Sequence, residues 1–216
     1  MTISWLGQSC FKIQGKDVAL VTDPYGAGVG FKLPRLSAQI VTVSHDHDDH
    51  NNIDGVHGEN GENPFVINGP GEYEVKGVFV YGIPFWHDKS EGQERGGSTA
   101  YRIEMEGISV AHLGDLGHPL SEEQVAKLDG VDILLVPVGG KWTIGAHEAA
   151  EIINEIEPRI VIPMHYKIPG LKMELDPVDK FLKEMGASKA EHLPKLKIVK
   201  KDLPQEETKV IILDRD

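Results

Sequence analysis

Ser44-His45-Asp46-His47-Asp48-Asp49-His50 follows directly on the apolar run Ile40-Val41-Thr42-Val43, and places three histidines and three aspartates in the six positions 45–50. In extended backbone, side chains two residues apart project to the same side. His45 and His47 are therefore expected to converge on one ion, with Asp49 and His50 reaching a second from the loop beyond. Neutral imidazole and carboxylate suit borderline and hard divalent metals without any thiolate. A solvated surface loop or a metal-scavenging tract would have the same composition. The β-branched strand ahead of it argues against both, because loops at strand ends commonly carry function. A His-Asp pair such as His47-Asp48 also occurs in all-helical phosphohydrolases, a reading the flanking strands disfavour.

Upstream, Ile3 to Leu6, Cys10 to Ile13 and Val18 to Thr22 are short apolar or β-branched runs punctuated by Gly7 and Gly15. Asp23-Pro24-Tyr25-Gly26 supplies turn chemistry after the third run. Downstream, Phe65-Val66-Ile67, Tyr73-Glu74-Val75, Val78 to Ile83, Thr99 to Met105 and Ile108 to His112 read as further strands. The rhythm then changes. Ser121-Glu122-Glu123-Gln124 has the capping-box pattern of a helix start. A strand over Val131 to Val138 follows, and Ala149, Ile152, Ile153 and Ile156 line one face of a helix over Ala146 to Ile156, which Pro158 closes. Ile160-Val161-Ile162 is another strand. Asp176-Pro177 predicts a helix with Asp as cap and Pro in the first turn, ended by Gly186. Lys195 to Lys200 and Lys209 to Leu213 are expected to close the chain as a pair of strands. Strands first, then alternating helices and strands, indicate packed sheets with helices outside.

The length of 216 residues suits one compact domain, 1–216, and 40% hydrophobic residues allow a sizeable core. A formal net charge of −12 disfavours a nonspecific grip on nucleic-acid phosphates, which needs clustered Lys and Arg. The single cysteine, Cys10, excludes an intrachain disulfide and reads as a small buried side chain. The N-terminus lacks the basic start and apolar run of a signal peptide, and no stretch reaches membrane-spanning length, so the cytoplasm is the expected location.

The histidine-rich run resembles the His-x-His-x-Asp-His motif of the metallo-β-lactamase superfamily. More narrowly, Trp5-Leu6-Gly7-Gln8-Ser9-Cys10-Phe11, Thr22-Asp23-Pro24, Gly69-Pro70-Gly71-Glu72-Tyr73-Glu74-Val75, His112-Leu113-Gly114-Asp115 and Pro163-Met164-His165-Tyr166 are similar to the ascorbate-phosphate lactonase-like branch of metal-dependent hydrolases. The resemblance implies an α+β fold of the αββα kind: two packed β-sheets with helices on the outer faces and metals in a cleft at one sheet edge. It also implies the remaining ligands. His45, His47 and His87 would hold one metal, Asp49, His50 and His165 the other, with Asp115 bridging them. His112 and His118 are either substitutes for His87 or, as the favoured reading, residues that flank and support the ligands. One departure is Gln8, where many relatives carry His.

Two divalent ions sharing a bridging water lower its pKa towards neutrality, which makes a nucleophile without Ser or Cys. The expected function is hydrolysis of a small ester, lactone or phosphodiester, with Asp49 orienting the nucleophile and Asp115 joining the metals. The alternative is a non-catalytic metal-binding or scaffold protein that keeps the fold. Five histidines and two aspartates suit zinc, while the carboxylates also admit manganese or iron. Asp23 is expected either to hydrogen-bond a ligand imidazole or to form a plain Asp-Pro turn, Tyr166 either to meet substrate or to pack, and His147 to face solvent. Trp86, Lys141 and Trp142 are candidate pocket borders. The partner is a small-molecule substrate, without nucleic acid or membrane. The basic edge of Lys195, Lys197, Lys200 and Lys201 reads as protection of an edge strand or as the surface of a homo-oligomer.

Overall fold

The computed structural model describes residues 1–216, the side chain of Asn60 excepted. Its strands run in chain order as β1 (Thr2–Gly7), β2 (Cys10–Gln14), β3 (Ala19–Thr22), β4 (Leu36–Ser37), β5 (Ile40–Thr42), β6 (Val56–His57), β7 (Phe65–Ile67), β8 (Gly71–Val75), β9 (Val78–Trp86), β10 (Gly97–Met105), β11 (Ile108–His112), β12 (Ile133–Pro137), β13 (Ile160–Met164), β14 (Glu191–Leu193), β15 (Leu196–Lys197) and β16 (Lys209–Leu213). The helices are α1 (Glu122–Leu128), α2 (Ala146–Ile156) and α3 (Val178–Glu184).

Alternation along the early strands decides how the sheets stack. In β2 and β3, Phe11, Ile13 and Leu20 face one way, and Cys10, Ala19 and Val21 the other. The first set joins Ile3, Trp5, Ile40 and Ile67 against Val80, Ile83, Phe85 and Ile103 in a shared core between the sheets. The first sheet runs β15-β1-β2-β3-β5-β7 and the second β14-β16-β13-β12-β11-β10-β9-β8. β11, β12 and β13 are wholly buried and pair in parallel. Their unbroken apolar runs are what burial on both faces requires. The reverse face of the first sheet packs Cys10, Val21 and Val41 under Tyr25, Val29, Leu36, Val56 and Leu171. Loops and short 3₁₀ turns at Ala27–Val29 and Ile53–Gly55 provide that cover, while the three α-helices belong to the connections of the second sheet.

The helix signals act as expected at two of three places. Ser121 and Gln124 form the reciprocal cap of α1, and Ala149, Ile152, Ile153 and Ile156 are the buried face of α2. In α3 the start is shifted by one residue: Pro177 is the N-cap, without a side-chain cap bond. The Asp176 carboxylate instead takes the Lys180 ammonium at 2.6 Å. The expected closing strand pair is also corrected. β15 pairs antiparallel with β1 at the edge of the first sheet, whereas β16 lies between β13 and β14 in the second. A 3₁₀ turn at Lys200–Asp202 follows β15 on the way to β16. Local pattern reports that each run is a strand, but the partner is chosen by which core face is open to it.

The second sheet also sets a direction. β9 is antiparallel to β10 and β10 to β11, so β9, β11, β12 and β13 all point the same way and their C-terminal ends share one edge. Among the described residues no helix is long and apolar enough to cross a membrane.

Candidate metal centre

Every expected donor sits on a loop leaving a strand at its C-terminal end. The His45–His50 segment leaves β5, His87 leaves β9, Asp115 leaves β11 and His165 leaves β13. The His45–His47 pair converges for a reason other than the extended-strand periodicity expected from sequence. Residues 44–46 bend, and the His47 N–H donates to the His45 carbonyl at 3.1 Å, a tight turn that sets the two rings 4.4 Å apart. The Thr99 N–H donates to the Ser44 carbonyl at 2.8 Å and ties this segment to the second sheet.

The other loops are seated against glycines. A Cβ on Gly117 would lie 2.4 Å from the His87 carbonyl carbon, and one on Gly139 only 2.1 Å from the His165 carbonyl oxygen. Neither position admits a side chain without moving a donor loop. His87 is held further by its own N–H to Gly96, and its neighbour Trp86 is bonded to the Gly117 N–H and the His118 ring, each at 3.1 Å. Gln8, Asp23 and His165 all adopt positive φ, 52°, 38° and 52°. Such conformations persist in non-glycine residues only where the surroundings impose them, and they gather at functional sites.

Three overlapping groups of donor atoms result, each with its atoms within 4.8 Å of one another: His45, His47 and His87; His45, His50 and Asp115; and Asp49, His50 and His165. Asp115 Oδ2 lies 3.3 Å from His50 Nε2, 3.4 Å from His165 Nε2 and 3.5 Å from His87 Nε2. Its Oδ1 faces the Ser9 hydroxyl at 3.4 Å. His47 is exposed, Asp49 is partly so, and the other five donors are buried.

Asp23 organises two of the imidazoles. Its carboxylate accepts from the Ser44 N–H at 2.7 Å, the Ser44 hydroxyl at 2.6 Å and His50 Nδ1 at 2.9 Å. Because the Ser44 hydroxyl proton is given to Asp23, the 2.9 Å contact between Ser44 Oγ and His45 Nδ1 needs its proton from the ring. Both His45 and His50 are thereby held with Nδ1 protonated and Nε2 turned to the cleft, where His50 offers a lone pair once a cation displaces its second proton. Of the two readings open for Asp23 from sequence, the geometry favours the bond to a ligand ring, and such bonds fix histidine tautomers in metal sites.

The electrostatics fit a cation. Burial pushes the His50 imidazolium down, but the carboxylates of Asp115, Asp23 and Asp49 outweigh it and hold the pKa well above the ordinary value. Burial opposes ionisation of Asp115, yet His165 and His50 keep its carboxyl well below the usual range. His45 goes the other way: burial and then the neighbouring His50 lower it to about 3, so its ring is neutral. The Nε2 atoms of His45, His50 and His165 are buried without a hydrogen-bond partner. Buried polar atoms left unpaired need an explanation. Unpaired Nε2 atoms converging on two carboxylates, Asp49 and Asp115, make a donor set for divalent cations.

The other residues singled out from sequence lie around this centre. His112 is fully buried, with Nε2 against the Ser9 carbonyl at 2.8 Å. The His118 ring accepts the Trp86 N–H, and neither histidine joins a donor group in place of His87. Tyr166 is a packed aromatic, its ring 4.9 Å from Trp5. His147 is exposed and pairs with Glu184 at 2.8 Å. Gln8 is buried and sends Nε2 to Met173 Sδ at 2.9 Å, while its carbonyl receives the His165 N–H at 3.2 Å. Sequence reasoning passes over Ser9, Ser44, Gly117 and Gly139. Only the Gly-Asp-Leu-Gly spacing around Asp115 hints at one of them, Gly117; Ser44 is the chain neighbour of His45 with no local mark of its role, and Ser9 comes from the turn between β1 and β2.

The family described as the beta-lactamase superfamily domain matches residues 2–165. The chain belongs to the metallo-β-lactamase superfamily. The matched span ends on His165 and so contains all seven donors. Among its superfamily relatives, a UPF0173 metal-dependent hydrolase of Thermococcus onnurineus is 31% identical over 188 residues, covering 76% of this chain and 84% of that protein. Another, from Methanopyrus kandleri, is 28% identical and covers 86% of this chain and 93% of its own. The crystal structure of a Thermotoga maritima protein, assigned there as a zinc-dependent hydrolase of the superfamily, superposes with a TM-score of 0.80 at 38% identity, covering 98% of this chain and 97% of that one. The two-sheet α+β sandwich described above is the metallo-β-lactamase fold.

Proposed function

We propose that the chain is a dinuclear metal-dependent hydrolase acting on a small ester, lactone or phosphodiester. The observation that carries the reading is the placement of Asp115 Oδ2, a single carboxylate oxygen within 3.5 Å of an imidazole nitrogen from each donor set, His87 in one and His50 and His165 in the other. His45, His47 and His87 would hold one ion, Asp49, His50 and His165 the second, and Asp115 would stand between them. Five imidazoles and two carboxylates suit zinc, and manganese or iron are the alternatives the oxygen donors admit. Bound there, two divalent cations supply Lewis acidity that makes water nucleophilic near neutral pH and draws charge onto the substrate oxygen.

The residues do the rest. Burial raises the Asp49 carboxyl, but the His50 imidazole 3.4 Å away outweighs this and lowers it to about 2. A carboxylate so weakly basic orients a water by accepting its hydrogen bond better than it removes the proton. Asp49 is also the partly exposed carboxylate of the set, with 24% of its side chain accessible, so it can meet an incoming molecule. Asp23 and Ser44 keep the imidazoles of His45 and His50 in the ligating tautomer. The ester, lactone or phosphodiester class rests on the similarity to lactonase-like sequences, and the net charge of −12 supports a small substrate over nucleic acid.

The test joins metal analysis to a screen of generic phosphodiester, ester and lactone substrates. The wild-type protein should carry two divalent ions and hydrolyse at least one class, and Asp115→Ala should lose both metal occupancy and turnover. Full activity of that variant after exhaustive chelation would refute the mechanism. Two bound ions without turnover on any substrate would favour a scaffold that keeps the fold.

A further inference from the structure

The loop after β9 is built around a carboxylate. Asp88, next to His87, accepts backbone N–H bonds from Ser90 and Gly92 on Oδ1, at 2.8 and 2.9 Å, and from Glu94 and Arg95 on Oδ2, at 3.1 and 2.8 Å. The loop is thus fixed from within, and the residue it presents is Arg95. The guanidinium carbon sits 4.3 Å from the centre of the Trp142 ring, and Nη1 donates to the Trp142 carbonyl at 3.1 Å. Trp142 belongs to the loop after β12, which is pinned to the donor loop of the metal centre by the Ile144 N–H to the Leu116 carbonyl at 2.9 Å.

β9 and β12 are separated in the sheet by β10 and β11. The Arg95–Trp142 pair therefore spans the strand edge from which Asp115 emerges, and both of its ends are tied within two residues of proposed ligands. Lys141, on the same loop, has its charge matched by Glu174 at 2.8 Å. Arg95 has no carboxylate within ion-pair distance among the described residues, in a chain with a large acidic excess. A guanidinium carries five N–H donors in a planar fork, and the Trp142 carbonyl takes one of them on Nη1, which leaves the others for a ligand. That fork matches the two oxygens of a carboxylate or phosphate.

We propose that Arg95, held over the Trp142 ring, is an oxyanion subsite beside the metal centre, selecting substrates that carry a carboxylate or phosphate group. This rests on the hydrolase reading and deepens it, by making the preferred ester, lactone or phosphodiester an anionic one. The bland alternative is a latch that only joins two loops.

The experiment titrates inorganic phosphate and, separately, succinate into zinc-loaded wild type, Arg95→Ala, Arg95→Lys and Trp142→Ala by calorimetry, with metal content and melting temperature measured on each. Arg95→Ala should bind the probe about ten- to a hundredfold more weakly, as expected for loss of charge-assisted hydrogen bonds, at unchanged metal content. Arg95→Lys should restore only part of the affinity, because an ammonium neither stacks nor forks. The phosphate and succinate arms decide which oxyanion the subsite takes. Equal affinity in Arg95→Ala and wild type, or no saturable binding of either probe by wild type, overturns the proposal. Loss of metal from Arg95→Ala along with the probe would make the residue a latch and also overturn it. A wild type that takes up no metal would instead sink the hydrolase reading, which the metal analysis reports separately.

Discussion

Asp23→Asn isolates the tautomer control of the centre. The Asp23 carboxylate receives three donors at 2.6–2.9 Å, and all are buried. An asparagine oxygen can keep the Ser44 N–H, and the Ser44 hydroxyl can turn to accept from the new amide. The His50 Nδ1–H then faces an N–H group. The ring resolves the clash by keeping its last proton on Nε2, which leaves that atom without a lone pair for a cation. Changes of this kind in the partners of ligating histidines typically weaken metal binding by about 10–100-fold, equivalent to about 1.4–2.7 kcal/mol. The loss should fall on the ion proposed for Asp49, His50 and His165, so metal content should drop from the proposed two towards one. Competition against a chromophoric chelator measures the affinity, and nitrogen-15 NMR of the ring reports the tautomer. Two ions bound with wild-type affinity, or His50 still protonated at Nδ1, would refute the reasoning. Asp23→Ala goes further, leaving the raised-pKa His50 beside an empty space, and should destabilise the metal-free protein by about 3–5 kcal/mol.

Further outcomes follow from the same geometry. Because carboxylates raise the His50 pKa while His45 is lowered to about 3, a proton on His50 competes with the cation and one on His45 does not. Metal affinity should therefore fall as pH drops below the His50 value, by about tenfold per unit for the one proton displaced; calorimetry in buffers of different ionisation enthalpy that shows no proton release at neutral pH would contradict this. Gly139→Ala places a methyl 2.1 Å from the His165 carbonyl oxygen, and such overpacking costs about 1–3 kcal/mol. It should lower the melting temperature and deplete the His165-side metal first, with an unchanged metal content arguing that the loop shifts freely. Burial pushes the Cys10 thiol well above its ordinary range, with Asp23 adding to the effect, so the native protein should resist thiol reagents that label it at once in denaturant.

Much of this centre is legible in the order of residues alone. His45, His47, Asp49 and His50 are close neighbours in the chain, so their shared chemistry shows as composition, and the apolar run ahead of them marks the strand that delivers them. His87, Asp115 and His165 are reached only through resemblance, since a lone histidine or aspartate after a strand has no local mark of its use. The capping box at Ser121 and the apolar face of α2 are readable because helix signals act within a few residues. Strand pairing is not: β15 and β16 read as one closing pair and belong to different sheets.

What the sequence by itself determined is therefore the kind of donor atoms, the strand ends that carry them, and the alternation that builds two faces of a core. Tertiary structure decided everything that depends on distance between remote segments. It alone sets Asp115 Oδ2 between imidazoles from three other loops, brings Asp23 to His50 and, through Ser44, to His45, and places Arg95 over Trp142. The physical reason is that backbone geometry and burial preference are properties of a few neighbouring residues, whereas a lone pair's orientation is set by whichever partner the packed sheets bring to it.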